Sequence, residues 1–174
     1  LSDYVLEADV ATDGNRRVMS TIGLVNQRYL ITLDGNRRIL EVSSNHERVK
    51  ESVKFPMRPN TWYHLKTHVL RGENGGGSVR AKAWLRDQPE PEDWTIEVKL
   101  DDVHEKGAPG IFAFSPQVQK RVYIDNIKLS GKVFQVLLDT SMVGKTLPSV
   151  ISSSSTVKGI IRVSHEIARY IGTQ

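Results

Sequence analysis

The chain has 174 residues, a formal charge of +4 and a pI near 9.4, and it contains no cysteine. The absence of cysteine excludes disulfide bonds, zinc–thiolate centres and thiol nucleophiles. The basic residues are spread along the chain without a dense Lys/Arg tract, which argues against nucleic acid as a partner. The chain also contains no apolar run of about 18 residues, so no membrane-spanning helix is expected.

The first part of the chain predicts short β-strands separated by turn residues. Residues 4–11 alternate between apolar and polar side chains and lead into a turn at 12–15. Residues 18–25 predict a second strand, in which Gly23 indicates a bulge or a close backbone approach. Asp34-Gly35 lies between two apolar runs and predicts a hairpin, because both residues of such a turn need positive φ.

Residues 48–55 predict a further strand, and residues 62–86 predict the central hairpin of the domain, with a glycine-rich turn at 72–77. In its second strand apolar residues alternate with Arg80, Lys82 and Trp84, so one face belongs to a core and the other meets solvent or a ligand. The residues predicted to form the ligand-binding face are Trp84, Arg80, Lys82, Arg86, His64, Lys66 and His68.

This predicted face sets an indole ring among basic hydrogen-bond donors. The apolar face of a sugar ring stacks on tryptophan, while its hydroxyls or carboxylates accept hydrogen bonds from basic side chains. We therefore predict a polysaccharide or glycan ligand, either acidic or neutral. The alternative is that a loop such as 88–94 covers Trp84 and leaves the basic residues merely solvated, whereas Trp62 is expected in core or hinge packing.

Strands at 94–100, 111–114 and 122–129 complete roughly nine or ten strands in about 130 residues, a spacing typical of an antiparallel sandwich or barrel. We therefore expect one domain at 1–131 and a C-terminal extension at 132–174. The extension predicts a short strand, a serine-rich linker at 152–155 and an amphipathic helix at about 157–171. The apolar face of that helix packs either on the domain itself or on a neighbouring domain or subunit.

Two groups of residues resemble catalytic or metal-binding motifs. Glu7 and Asp9 place two carboxylates on one face of a strand, as in a retaining glycosidase, but no further carboxylate follows in register. His64 and His68 lie on a strand, where four residues span about 13 Å, so they are too far apart to share a zinc ion. The sequence shows no supporting cluster for the other three histidines, which are His46, His104 and His165.

Asp125 and Asn126 interrupt an otherwise apolar strand at 122–129. Buried polar side chains need hydrogen bonds or ligands. Coordination of calcium by Asp125 is one way to satisfy these oxygens, and a β-bulge with local hydrogen bonds is the other.

The order of four segments along the chain resembles that of a known protein family. The segments are 62–66, which follows a Pro-Asn turn, and 79–84, 107–111 and 122–129. In this order they resemble the concanavalin A-like, laminin-G-like jelly rolls found as accessory modules in bacterial extracytoplasmic proteins, most closely those that accompany quinoprotein-type β-propellers. The resemblance implies two packed antiparallel sheets, a concave face that recognises glycans or proteins, a structural calcium ion in some members, and a periplasmic or secreted location. Glycosidases of this fold carry a strand with Glu-x-Asp and a further Glu, which Glu7-Ala8-Asp9 lacks.

The sequence thus predicts an all-β, antiparallel two-sheet sandwich (a jelly roll) with an added C-terminal amphipathic helix. The predicted function is non-catalytic carbohydrate binding by the concave face, with no required cofactor. The first alternative is a structural or interaction domain that docks within a larger extracytoplasmic assembly through the C-terminal helix. A divergent glycoside hydrolase is the weaker alternative.

Overall fold

A computed structural model describes residues 1–15 and 17–131, together with the backbone of residues 154–157. These residues form two antiparallel β-sheets that enclose one hydrophobic core. In spatial order, the six-stranded sheet consists of β11 (Ser154–Val157), β10 (Val122–Gly131), β1 (Tyr4–Thr12), β6 (Tyr63–Arg71), β7 (Gly77–Leu85) and β8 (Ile96–Leu100). The five-stranded sheet consists of β5 (Val49–Lys54), β4 (Ile39–Ser44), β3 (Tyr29–Asp34), β2 (Thr21–Asn26) and β9 (Gly110–Phe114).

The core lies between the two sheets because the strands alternate apolar residues with polar ones. Strand β1 contributes Tyr4 and Val10, and strand β3 contributes Tyr29 and Leu33; all four are fully buried. Buried Asn26 of β2 also links the sheets, since its Nδ2 donates to the backbone carbonyl oxygens of Tyr4 and Thr67 on the opposite sheet. The alternate residues of β1, β6 and β7 therefore point away from the core.

The predicted all-β sandwich is confirmed, and residues 1–131 contain ten strands. No helix occurs in the part of the chain that the structure describes, so none there could span a membrane. The predicted helix at about 157–171 lies outside the described residues apart from its first position. Ser154 and Ser155, which were expected in a linker, instead belong to β11, where they pair with β10.

The predicted hairpin at Asp34-Gly35 is confirmed, but the predicted turn geometry is wrong. The turn has four residues, 35–38, and Arg38 carries the positive φ of 55°. Asp34 stabilises this wider turn by accepting a hydrogen bond from the backbone N–H of Arg37 through Oδ1 at 2.9 Å. The predicted close approach at Gly23 is confirmed, because a Cβ there would lie 2.2 Å from the carbonyl oxygen of Ile31.

Candidate functional site

The outer face of the six-stranded sheet carries polar and aromatic side chains in two adjacent rows. The strand register places His64 of β6 between Asp9 of β1 and Trp84 of β7. The next row along the strands places Lys66 between Glu7 and Lys82. We call this surface the Trp84 face, and its residues are Glu7, Asp9, His64, Lys66, Lys82 and Trp84.

His64 is the centre of the Trp84 face. Its Nδ1 lies 2.7 Å from Oδ1 of Asp9, and its Nε2 lies 3.5 Å from Oε2 of Glu7. The imidazole also packs on the indole of Trp84, with ring centroids 4.6 Å apart. The ring of His64 is thereby held in one orientation, which also restricts the position of the half-buried Trp84 side chain.

The two carboxylates are buried although they point away from the core: Glu7 is 6% exposed and Asp9 is 4% exposed. The hydrogen bond with His64, assisted by nearby Lys128 and Lys66 and opposed by burial, lowers the pKa of Glu7 to about 2. Burial by itself would lower the pKa of His64, but hydrogen bonds to Glu7 and Asp9 outweigh it and raise that pKa. The site therefore favours an imidazolium between two carboxylates.

Lysine side chains compensate the negative charge of Glu7. Lys128 Nζ lies 2.9 Å from Glu7 Oε1, and Lys66 Nζ lies 3.4 Å from Glu7 Oε2. Lys66 also binds Glu90, at 2.9 Å from Nζ to Oε1. The Trp84 face is thus an interlocked set of ion pairs in place of the cluster of basic donors that the sequence predicted.

Asp9 also fixes the β-bulge next to it. The register between β1 and β10 shifts between Glu7 and Asp9, and Asn126 adopts a left-handed φ of 49°. Asn126 Nδ2 donates to Asp9 Oδ2 at 2.7 Å, while Asp125 Oδ1 accepts from the backbone N–H of Asn126 at 2.8 Å. The predicted bulge with local hydrogen bonds is confirmed.

Calcium coordination by Asp125 stays a prediction. Calcium takes six to eight oxygen ligands in proteins. Within the described residues, no group of three or more acidic or histidine side chains converges on Asp125.

Lys82 lies beneath the loop at 86–95 that connects β7 and β8. Its Nζ donates to the carbonyl oxygen of Pro91 at 2.6 Å, lies 2.8 Å from Glu90 Oε1, and sits 4.9 Å from the centre of the Trp94 ring. The Lys82 side chain is only 6% exposed. The covering loop that the sequence offered as an alternative therefore covers Lys82, whereas Trp84 keeps part of its surface exposed. A ligand would reach the ammonium of Lys82 only if this loop moved.

The remaining predicted ligand-binding residues lie around the Trp84 face and have partners of their own. His68 Nε2 lies 3.1 Å from Asp3 Oδ1, and Arg80 Nε lies 2.9 Å from Glu97 Oε1. Arg86 is exposed, and its guanidinium carbon lies 4.7 Å from the centre of the Trp62 ring. The structure therefore brings His64, Lys66, Lys82 and Trp84 together and sets His68, Arg80 and Arg86 at the margins.

Trp62 and Tyr123 form an aromatic edge beside the Trp84 face that the sequence did not predict. Their ring centroids lie 6.4 Å apart, and both side chains are half-buried. Trp62 was expected in core or hinge packing, although its spacing of two positions from His64 is the signal that places both on one sheet face. The position of Tyr123 depends on its pairing with Ala11 across the sheet, which sequence periodicity does not reveal.

The expectation that His46 and His104 have no supporting cluster is wrong. Both lie beside Glu47, His46 in the turn between β4 and β5 and His104 in the loop between β8 and β9. His165 lies outside the described residues.

Comparison with known proteins gives a likeness to solved structures. No family model matches the sequence, and no curated protein matches it significantly. Among solved structures, the chain is similar to the carbohydrate binding module CBM66 from Bacillus subtilis, with 20% sequence identity and a TM-score of 0.46. The match covers 73% of this chain and 74% of that chain.

Proposed function

We propose that this domain is a carbohydrate-binding module whose ligand lies on the Trp84 face and the adjoining edge formed by Trp62 and Tyr123. The observation that carries the proposal is the half-buried indole of Trp84, which His64 holds in place at a ring distance of 4.6 Å. A sugar presents apolar C–H groups to an aromatic ring and hydroxyl groups to neighbouring polar atoms. A held aromatic ring loses little conformational entropy on binding, which favours affinity.

The charge distribution favours a neutral saccharide over an acidic one. Lys66 and Lys82 both contact Glu90, and Arg80 is paired with Glu97. An anionic glycan would have to compete with these carboxylates for the same cations, whereas hydroxyl groups can bind beside intact ion pairs. The exposed guanidinium of Arg86 above Trp62 supplies donors at the edge of the ligand site.

The ionisation of Glu7 argues against its acting as the general acid of a glycosidase. The general acid of a glycosidase has a raised pKa, because it must hold a proton at the working pH. The pKa of Glu7 is instead lowered to about 2, chiefly by its hydrogen bond with His64. Glu7 and Asp9 therefore serve in the proposed function as the buried anions that orient His64.

A glycan microarray of the purified domain, followed by titration of any positive sugar with tryptophan fluorescence detection, tests the proposal. We expect Trp84→Ala to weaken binding at least about tenfold, which corresponds to about 1.4 kcal/mol. Phe114→Ala is the matched control, because it removes an aromatic side chain that is 49% exposed on the other sheet. Binding that is equal in the Trp84→Ala variant and the wild type would contradict the assignment of this face.

Wild-type silence across neutral and acidic glycans would favour the alternative of an interaction domain. The search would then turn to proteins that bind the same face or the C-terminal extension. Membership of the concanavalin A-like, laminin-G-like jelly rolls and a periplasmic or secreted location stay predictions from the sequence.

A further inference from the structure

A second cluster of potential ligands lies away from the Trp84 face, where the turn between β4 and β5 meets the loop between β8 and β9. His46 and Glu47 lie in the turn, and His104 lies in the loop. One nitrogen of each histidine and one carboxylate oxygen of Glu47 all lie within 4.8 Å of one another. We propose that His46, Glu47 and His104 bind a divalent transition-metal ion, with Zn²⁺ as the preferred metal.

The donor types determine which class of metal this site would select. Imidazole nitrogen suits zinc, nickel, copper and iron, whereas calcium and magnesium prefer all-oxygen sites. Two histidines and one carboxylate form a common ligand set for zinc in proteins. The predicted class is therefore a borderline-soft divalent cation.

The distances allow all three donors to reach one ion after a small adjustment. Zinc lies 2.0–2.2 Å from nitrogen and carboxylate oxygen ligands, so two donors to one ion are at most about 4.3 Å apart. His46 Nδ1 already lies 3.6 Å from Glu47 Oε1. The His46 side chain is 76% exposed, so solvent gives it room to close the remaining gap.

Glu47 and His104 already point at each other. Nε2 of His104 contacts Oε1 of Glu47, yet this buried nitrogen makes no hydrogen bond of acceptable geometry. The other carboxylate oxygen of Glu47 accepts a hydrogen bond from the hydroxyl of Ser44, which orients the carboxylate. A cation bound by both the imidazole and the carboxylate would satisfy both groups once the two atoms move apart to admit it.

The loop that carries His104 is held by side chains from the sandwich. Gln27 Nε2 donates to the carbonyl oxygen of His104 at 2.9 Å, and the backbone N–H of His104 donates to the Tyr29 hydroxyl at 3.3 Å. The rings of Tyr29 and His104 lie 5.4 Å apart. Arg71 Nε fixes the preceding residue by donating to the carbonyl oxygen of Val103 at 2.6 Å. This support positions one ligand before any metal arrives, which lowers the entropic cost of binding.

Three protein ligands leave at least one coordination position for water or another ligand, as in zinc sites that are not purely structural. Because His46 is exposed, that position is open to solvent. The site shares no residue with the proposed glycan site, so the two proposals fail independently.

Calorimetric titration of the untagged protein with Zn²⁺ tests this proposal, with Co²⁺ absorption as a second readout and Ca²⁺ as a negative control. An untagged chain is needed because a polyhistidine tag binds the same metals. We expect one Zn²⁺ per chain, and His46→Ala, Glu47→Gln and His104→Ala should each weaken binding on the order of 100-fold. The matched control is His68→Ala, on the six-stranded sheet, which should bind Zn²⁺ as the wild type does.

The exposed side chain of His46 is not part of the core, so the His46→Ala variant is expected to fold. A change in its affinity for Zn²⁺ therefore reports on the metal site and not on misfolding. The proposal is overturned if the wild type does not bind Zn²⁺ at millimolar concentration. It is also overturned if folded His46→Ala and Glu47→Gln variants bind Zn²⁺ as tightly as the wild type. The Trp84→Ala variant should bind Zn²⁺ normally, which separates this result from the outcome of the glycan experiments.

Discussion

Nε2 of His64 lies 3.5 Å from Oε2 of Glu7, and this contact couples the ionisation of the two side chains. It is the main reason that the pKa of Glu7 falls from its usual 4.5 to about 2. It also helps to raise the pKa of His64 against the effect of burial. The pair therefore stabilises the folded state over a limited range of pH.

The stability of the Glu7→Gln variant should differ from that of the wild type in a pH-dependent way. Because the pKa of Glu7 is lower in the folded state, its contribution is present above pH 4.5 and is lost as the pH falls through about 2. The raised pKa of His64 means that its contribution is present below the usual value of 6.5 and is lost as the pH rises through the folded-state pKa. Urea unfolding should thus show the largest difference between pH 4.5 and 6.5, on the order of 3 kcal/mol.

The control for this measurement is Glu51→Gln, which alters an exposed glutamate on β5. Its stability should parallel that of the wild type across the same pH range. A Glu7→Gln difference that stays constant from pH 2 to pH 6.5 would show that the effect arises from packing instead of ionisation.

Two substitutions of Asn126 separate backbone strain from the loss of its hydrogen bond. Asn126→Ala removes the 2.7 Å hydrogen bond to Asp9 and leaves a Cβ at a φ of 49°. Asn126→Gly removes the same hydrogen bond but tolerates the left-handed backbone. We expect the alanine variant to lose about 2–4 kcal/mol of unfolding free energy and the glycine variant about 1 kcal/mol less. Equal losses in denaturant unfolding would show that the backbone at the bulge is not strained.

Lys82→Met should release the loop that connects β7 and β8. The substitution keeps most of the apolar stem and removes the ammonium that contacts Glu90 and the carbonyl oxygen of Pro91. We expect a loss of about 1–3 kcal/mol and faster proteolytic cleavage within the loop, because Glu90 and the Pro91 carbonyl lose the buried ammonium that binds them. Arg80→Met is the matched control on the same strand; its ion pair with Glu97 is about a third exposed on each side, so about 0.5 kcal/mol or less is expected. Similar cleavage rates in the two variants would argue against a role for Lys82 in holding the loop.

The strands were predictable because their information is local. In β6 and β7 the alternation of side chains identified both the core residues and the outward positions of His64, Lys66, Lys82 and Trp84. The same two-residue period placed Glu7 and Asp9 on one face of β1. The turn after Asp34 was harder, because Asp-Gly is compatible with several turns and the four-residue form depends on the hydrogen bond to Arg37.

Contacts between distant segments were not predictable from periodicity. Glu90 reaches Lys66 and Lys82 only because the loop after β7 folds back over its own sheet. His46 and His104 meet because two connections from different strand pairs end at the same place. No local sequence pattern encodes either contact. The sequence therefore predicted a cluster of basic donors where the protein has an ion-pair network, and it did not reveal that His46 and His104 lie together.

The position of β1 sets the order in which the domain can be completed during synthesis. β1 pairs with β6 on one side and with β10 on the other, so that Tyr4 lies opposite Gly131. During synthesis β1 must therefore wait for β10 before its backbone hydrogen bonds are satisfied on both sides. Such long-range pairing gives slow folding, on the order of milliseconds to seconds, and it leaves the apolar residues of β1 in need of protection until translation has passed β10.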